Sequence, residues 1–196
     1  MFYKKTMKNT LLVNFYGEPG AGKSTGAAYV FSKLKLAEVN CELVTEVAKD
    51  LVWEDRSLAL GCQAYVFGSQ VLRLERLRGK VDVVLTDSPI ALGAFYLKPK
   101  DEETLGNSFK NVIFSYAERA FPNHLDFFIK RVKPFFSGGR IHGELESLEI
   151  SKRVKSMLDE RFPNYEEADG DMSGYDMITD KILAKIKQAD FVQHIS

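Results

Sequence analysis

The fold is decided by one stretch near the start of the chain, Leu11-Leu12-Val13-Asn14-Phe15-Tyr16 followed by Gly17-Glu18-Pro19-Gly20-Ala21-Gly22-Lys23-Ser24-Thr25. The first six residues are mostly apolar and end at a glycine, which is typical of a buried strand in a parallel sheet. The next eight match the pattern G-x-x-x-x-G-K-[ST] at every position, and helix-favouring residues follow to about Leu36. In that context the pattern predicts a loop that binds the phosphates of a nucleoside triphosphate.

Each residue type in this glycine loop has a chemical reason to be there. Glycines let successive backbone N–H groups turn toward one anion, and the following helix N-terminus adds partial positive charge. Lys23 is predicted to reach the β- and γ-phosphates, and the Ser24 hydroxyl to ligate Mg²⁺. The residues predicted to bind the nucleotide are Gly17, Glu18, Pro19, Gly20, Ala21, Gly22, Lys23, Ser24 and Thr25. The alternative, a glycine-rich turn with a chance lysine and serine, leaves both flanks and the full match unexplained.

Strand-like and helix-like segments alternate through the rest of the chain. Four further strands are predicted, at about Glu42–Thr45, Val81–Thr86, Asp126–Val132 and, weakly, Asn164–Ala168. Helices are predicted up to Trp53, over 57–77, after Pro89, over about 105–119, over Glu144–Arg161 and at the C-terminus. Parallel strands need such crossover helices. We therefore expect a single α/β domain over residues 1–196, with a mostly parallel sheet of about five strands flanked by helices.

Composition excludes several classes of protein. The 196 residues are 45% hydrophobic, and 27 Lys and Arg balance 27 Asp and Glu. A disordered chain or a strongly basic nucleic-acid binder is thereby excluded. Cys41 and Cys62 show neither disulfide nor zinc spacing, and no stretch approaches the roughly 18 apolar residues of a membrane helix. The expected setting is the cytoplasm, with no membrane partner.

Two acidic residues directly follow predicted strands. Asp87 ends the strand Val81–Thr86, where nucleotide-binding proteins of this class place the acid on the magnesium side. Its alternative role is to cap the helix that Pro89 opens. Glu46 follows the second strand and could accept a proton from an acceptor hydroxyl or help hold Mg²⁺. Its alternative is a solvated first-turn glutamate favoured by the helix dipole.

A basic segment suggests a lid. Residues 130–161 carry a net charge of +3, followed by six acids and no Lys or Arg over 164–180. The pair Gly138-Gly139 places Arg140 on the most flexible part, so a lid is predicted over about 133–145. Arg140, and after it Arg131 and Arg153, are predicted to approach the transferred phosphate or the substrate. The alternative is a solvated, salt-bridged helix.

A polar stripe runs along the predicted helix over 57–77. Gln63, Gln70 and Arg73 lie on this stripe beside the apolar face. A glutamine amide could pair with a nucleobase edge while Trp53, Tyr65 or Tyr96 stacks on its face. The alternative is a partly exposed polar edge with ordinary core aromatics.

Several of these motifs together resemble a known family. Gly17–Ser24, the segment Ala59-Leu60-Gly61-Cys62-Gln63-Ala64-Tyr65, the strand end Thr86-Asp87 and the Gly139-Arg140 loop are similar to AAA_28-type P-loop kinases. That family includes ribosylnicotinamide kinase domains and phage-encoded ATPases or kinases. The resemblance covers about residues 10–160 and implies a nucleoside-kinase-like fold, an ATP- and Mg²⁺-dependent kinase activity, and Glu46 and Asp87 near the acceptor. Thr86-Asp87-Ser88 stands where ribosylnicotinamide kinase domains have Asp-Thr-Asp, so the acceptor is not carried over.

The sequence therefore predicts an ATP-dependent kinase with a nucleoside, nucleotide or modified nucleobase as acceptor. The predicted catalytic residues are Lys23, Asp87, Glu46 and Arg140, and the predicted magnesium ligands are Ser24 and Asp87. Gln63, Gln70, Arg73, Arg131 and Arg153 are predicted to bind the substrate. Two alternatives remain open, a kinase acting on DNA or RNA ends or on a base in DNA, and a regulatory NTPase without an acceptor. A glutamate that would activate water is absent after Asp87, where Ser88 stands. The oligomeric state is left open.

Overall fold

Five parallel strands form the central layer of the molecule. The structure is a computed structural model that describes residues 9–97, 99–132, 134 and 144–193. Its strands are β1 (Leu11–Tyr16), β2 (Cys41–Val44), β3 (Val83–Thr86), β4 (His124–Lys130) and β5 (Glu166–Asp169). They lie in the order β2-β3-β1-β4-β5, and every neighbouring pair is parallel. The predicted five-stranded α/β fold is confirmed.

Helices cover both faces of this sheet. They are α1 (Lys23–Leu36), α2 (Val47–Trp53), α3 (Ser57–Leu60), α4 (Gln63–Glu75), α5 (Pro99–Arg119), α6 (Glu144–Arg161) and α7 (Met172–Gln193), with a 3-10 helix at Ile90–Phe95. None of the described helices is long and apolar enough to cross a membrane.

The position of β1 at the centre of the sheet follows from its composition. All six of its residues are buried, because the strand is covered on both faces and bonded to β3 and β4 at its edges. On one face Val30 and Leu34 of α1 pack with Ile178 and Ile182 of α7. On the other face α4, α5 and α6 supply the core. The loop that follows β1 is thus held by a strand that is enclosed on every side.

The predicted long helix over 57–77 is interrupted. Cys62 adopts an extended conformation between α3 and α4, and Gly61 ends the first of these helices. The apolar spacing continues across the break, but only its second half, Val71 and Leu74 included, packs into the core. Leu58 in α3 is 90% exposed. A periodic pattern does not reveal a backbone break when the residues on either side keep the same spacing.

Other boundaries shift by a few residues. The register with β1 pairs Leu12 with His124, so β4 begins two residues before the predicted Asp126, and Val132 beyond its end is exposed. The helix α5 begins at Pro99 rather than near 105, since proline suits the first turn of a helix. The positions of the strand ends, which carry the polar residues of interest, agree with the prediction to within two residues.

Two helical glycines differ in what surrounds them. A Cβ on Gly26 in α1 would overlap the ring of Tyr175 in α7, whereas a Cβ on Gly68 in α4 would meet nothing within 4 Å. The first glycine is therefore required by the close approach of α7 to α1. The second is not required by packing.

This difference predicts opposite effects for the same substitution. Gly26→Ala is expected to lower the free energy of unfolding by about 1–3 kcal/mol through overpacking. Gly68→Ala is expected to raise it by about 0.5–1 kcal/mol, because alanine loses less conformational entropy in a helix. Urea unfolding of both variants measures the effect. Equal changes in the two variants would contradict the packing of α7 against α1.

Candidate functional site

Polar and glycine residues gather where the strands of the sheet end. The glycine loop Gly17–Ser24 follows β1, and Asp87 directly follows β3. Glu46 follows β2 with one residue, Thr45, between them. Arg131 and Gly170 follow β4 and β5. Because all five strands are parallel, these positions share one edge of the sheet. Ligands of open α/β folds bind at this edge.

The backbone of the glycine loop turns in ways that favour glycine. Gly17, Gly20 and Gly22 all have positive φ angles, of 137°, 86° and 101°. A Cβ on Gly17 would lie 2.7 Å from the carbonyl oxygen of Ile129 in β4. Side chains at these positions would strain the loop or push it away from the sheet.

The carbonyl oxygens of the loop are bound by protein groups. Lys23 Nζ donates hydrogen bonds to the carbonyl oxygens of Gly17 and Glu18 (both 2.9 Å). Ser147 Oγ donates to the carbonyl oxygen of Pro19 (2.8 Å), and the Tyr175 hydroxyl donates to that of Gly22 (3.0 Å). Gly22 is the N-cap of α1 and offers no capping side chain. As at the start of any α-helix, the first N–H groups of α1 point out of its N-terminal end rather than toward carbonyls within the helix. The partial positive charge of this helix end makes the loop suited to bind an anion.

The second residue of the loop forms a buried ion pair. Glu18 Oε1 lies 2.9 Å from Nε of Arg131, and the two side chains are 6% and 12% exposed. The other carboxylate oxygen, Oε2, is buried and accepts no hydrogen bond from the described residues. This pair joins the glycine loop to the end of β4. Arg131, predicted to contact the substrate, is therefore engaged with the loop itself.

Burial makes this pair sensitive to the loss of one charge. Glu18→Gln is expected to lower the free energy of unfolding by about 3 kcal/mol, since it removes the negative charge from an ion pair that is almost fully buried. A matched control is Glu166→Gln, which removes the ion pair with Lys181, where both side chains are more than 40% exposed. That change is expected to cost at most about 1 kcal/mol. Chemical denaturation that gives equal losses would contradict a special role for the buried pair.

Glu46 lies close enough to Lys23 of the glycine loop and to Asp87 for their charges to act on it. It occupies the N-cap position of α2 in an extended conformation, and its side chain makes no capping hydrogen bond. Burial raises the pKa of the Glu46 carboxyl, and the negative charge of Asp87 raises it further, while the positive charges of Lys23 and Lys49 lower it. The four side chains therefore form one electrostatic cluster. A half-buried carboxylate of this kind is not the solvated first-turn glutamate of the alternative interpretation.

Asp87 keeps one oxygen available. Its Oδ1 atom is buried and has no hydrogen-bond partner among the described residues. Pro89, not Asp87, holds the N-cap position of the 3-10 helix, which receives no side-chain cap, so the alternative capping role is not seen. No group of three or more His, Cys, Asp or Glu side chains in the described part of the chain could hold a metal ion. Asp87 and the exposed Ser24 would fit Mg²⁺, which takes few protein ligands and completes its shell with phosphates and water.

Tyr96 lies beside this cluster. Burial raises the pKa of the Tyr96 hydroxyl, and the charge of Glu46 raises it further. Its side chain nevertheless remains 43% exposed. An aromatic ring near Glu46 with an open face could pack against an acceptor.

The polar residues of α4 contact the protein backbone near Glu46. Gln70 is 5% exposed; its Oε1 accepts a hydrogen bond from Val47 N (3.0 Å) and its Nε2 donates to the oxygen of Thr45 (3.4 Å). Arg73 donates to the same Thr45 oxygen (3.2 Å) and pairs with Asp50. Gln70 and Arg73, both predicted to bind the substrate, thus bind the protein near Glu46 instead. Gln63, at the start of α4, is buried and donates to the oxygen of Leu60 (3.4 Å).

Two further cations, Arg153 and Arg140, were predicted to approach the substrate or the transferred phosphate. The Arg153 guanidinium lies 5.3 Å from the ring centroid of Phe95, outside the contacts of the glycine loop given above. Arg140 lies outside the described residues, as does most of the predicted lid over 133–145. The catalytic role expected for Arg140 stays a prediction.

Three residues that hold the loop were not predicted. Ser147 and Tyr175 bind loop carbonyls from α6 and α7, and nothing in their sequence context indicates this. Gly170 follows β5, and a Cβ there would overlap the oxygen of Ala21. A glycine directly after a strand was the one sequence feature that could have indicated a close backbone approach.

Comparison with known proteins finds similarity in structure only. No protein-family model matches the chain, and no curated protein matches it. It is similar to deoxyadenosine kinase from M. mycoides with bound dCTP, with a TM-score of 0.58 and 17% identity, covering 88% of this chain and 99% of that chain. The same kinase with bound dATP gives a TM-score of 0.60 and 17% identity over 87% of this chain and 98% of that one. At such identities the similarity shows that the two proteins share a fold.

Proposed function

We propose that this protein is an ATP-dependent kinase that transfers the γ-phosphate to a hydroxyl group of a nucleoside-type acceptor. The observation that carries the proposal is Glu46, a half-buried carboxylate with a raised pKa that is electrostatically coupled to Lys23 and Asp87. A base beside a phosphate-binding loop is what transfer to a hydroxyl requires. The shared fold with a deoxyadenosine kinase supports the same class of reaction.

On the donor side, the loop and its lysine bind the nucleotide. The N–H groups at the start of α1 and the Lys23 ammonium bind the phosphates of ATP. Ser24 and Asp87 would hold Mg²⁺, which supplies charge neutralisation on the phosphates. The ties from Ser147 and Tyr175 keep the loop in one shape. Catalysis on this side consists of positioning and charge stabilisation.

On the acceptor side, Glu46 accepts the proton of the attacking hydroxyl. A phosphate acceptor is already ionised, needs no base, and would be repelled by Glu46 and Asp87. A neutral hydroxyl, as in a nucleoside, fits this surrounding better than a nucleoside monophosphate. Gln63 and Tyr96 are proposed to contact the nucleobase of the acceptor. Arg140 is proposed to approach the phosphate during transfer.

An acceptor panel tests the proposal directly. Purified protein is incubated with labelled ATP, Mg²⁺ and, separately, nucleosides, nucleoside monophosphates, ribosylnicotinamide and oligonucleotides. Labelling of a nucleoside is expected. Steady ATP hydrolysis with no labelled acceptor would overturn the kinase proposal in favour of a regulatory NTPase, and labelling of oligonucleotides alone would assign a nucleic-acid kinase.

Substitutions at the two central residues separate their roles. Lys23→Ala is expected to abolish transfer with the fold retained. Glu46→Gln is expected to lower kcat by roughly 100-fold or more with little change in KM for ATP, because it removes only the base. Glu42→Gln is the matched control, since Glu42 lies on β2 in a half-exposed ion pair with Lys35. Full activity in Lys23→Ala or Glu46→Gln would contradict the assigned roles.

The charges around Glu46 predict a pH effect. Glu46 must be ionised to act as a base, so kcat/KM is expected to fall as the pH drops through its raised pKa. Lys49 lowers this pKa, so Lys49→Met is expected to move the acid limb of the pH profile to higher pH. Lys35→Met, which lies beside Glu42 instead, leaves the limb in place. A limb that moves to lower pH in Lys49→Met would contradict Glu46 as the titrating base.

A further inference from the structure

A single buried amide bonds the backbone on both sides of Glu46. Gln70 accepts from the N–H of Val47 and donates to the carbonyl of Thr45. We propose that Gln70, from α4, is a positioning residue that fixes the direction in which the Glu46 side chain leaves the backbone. This inference rests on the proposed function, in which Glu46 is the base.

The two bonds constrain both backbone torsions of Glu46, φ and ψ. The Thr45 carbonyl belongs to the peptide group before Glu46, and the Val47 N–H belongs to the peptide group after it. The orientations of these two peptide planes define φ and ψ of Glu46, here −64° and 123°. Holding both planes against one rigid amide therefore fixes the direction of the Cα–Cβ bond.

Gln70 also serves the N-terminus of α2. The first N–H groups of a helix need acceptors, and the side chain at the N-cap commonly supplies one. Glu46 stands at that position but makes no such bond, while Gln70 accepts the Val47 N–H. The carboxyl of Glu46 is thus not used to cap its own helix, and the charges of Lys23 and Asp87 act on its pKa.

A second residue of α4 supports the same segment. Arg73, three positions further, donates to the Thr45 carbonyl and pairs with Asp50 of α2. Leu74 beside it is fully buried in the core. The segment that carries Glu46 is therefore attached to a helix that the core itself holds in place.

The test compares two variants that each lose a bridging side chain. Gln70→Met keeps the length of the side chain and removes both hydrogen bonds. It is expected to lower kcat by roughly 10- to 100-fold through misplacement of the base, with KM for ATP unchanged. Thr10→Val is the matched control: Thr10 is buried, accepts from Gly79 N and donates to the Val81 oxygen (both 2.8 Å), at the opposite edge of the sheet. It is expected to lose stability without loss of kcat.

A double-mutant cycle with Glu46→Gln distinguishes positioning from a structural role. If Gln70 acts through Glu46, Gln70→Met has little further effect on kcat once Glu46 is replaced. Full additivity, or an unchanged kcat in Gln70→Met, overturns the inference while leaving the kinase proposal intact. An unchanged kcat in Glu46→Gln alone overturns the proposed function instead. Should Gln70→Met not fold, Gln70→Glu, which retains an acceptor for Val47 N–H but no donor for Thr45, is put through the same cycle with the same criteria.

Discussion

The site depends on how the glycine loop is held by its surroundings. Its backbone adopts conformations that favour glycine, and it keeps them because side chains from α6, α7 and the residue after β4 bind its carbonyl oxygens and its one carboxylate. The loop held in this way leads directly into the N-terminus of α1, which favours an anion. Anion binding is thus prepared before any anion arrives, which reduces the reorganisation that binding would otherwise require.

The proposed acceptor side, around Glu46, is held in the same way by other residues. Here the backbone around one carboxylate is held, through Gln70 and Arg73, by a helix that packs into the core. The segment that carries Glu46 is thus held from the layer that contains α4. The loop is held from both layers, by Ser147 of α6 on the same side of the sheet as α4 and by Tyr175 of α7, which packs with α1.

Much of this arrangement could be predicted from the sequence. The part that could be predicted differs from the rest for a physical reason. The glycine loop depends on local chemistry, and the places of Glu46 and Asp87 depend on the rule that parallel strands end at one edge. The residue that a polar side chain contacts in the folded protein does not follow from the local sequence pattern. Arg131 was expected to approach the substrate because its segment is basic, but its carboxylate partner lies in the loop itself, 113 positions earlier in the chain. Similarly, the stripe on α4 predicts polarity for Gln70 without indicating that its amide faces backbone rather than solvent or ligand.

The contact between Gly22 and Tyr175 spans 153 positions of the chain. The loop lies near the N-terminus, yet it is completed by residues of α7 and by Gly170, which are among the last described. During synthesis the strand and the loop emerge before these supports, since Tyr175 follows Gly22 by 153 positions. A nascent chain that ends before Tyr175 lacks the hydroxyl that binds the Gly22 carbonyl, so its loop is less restrained.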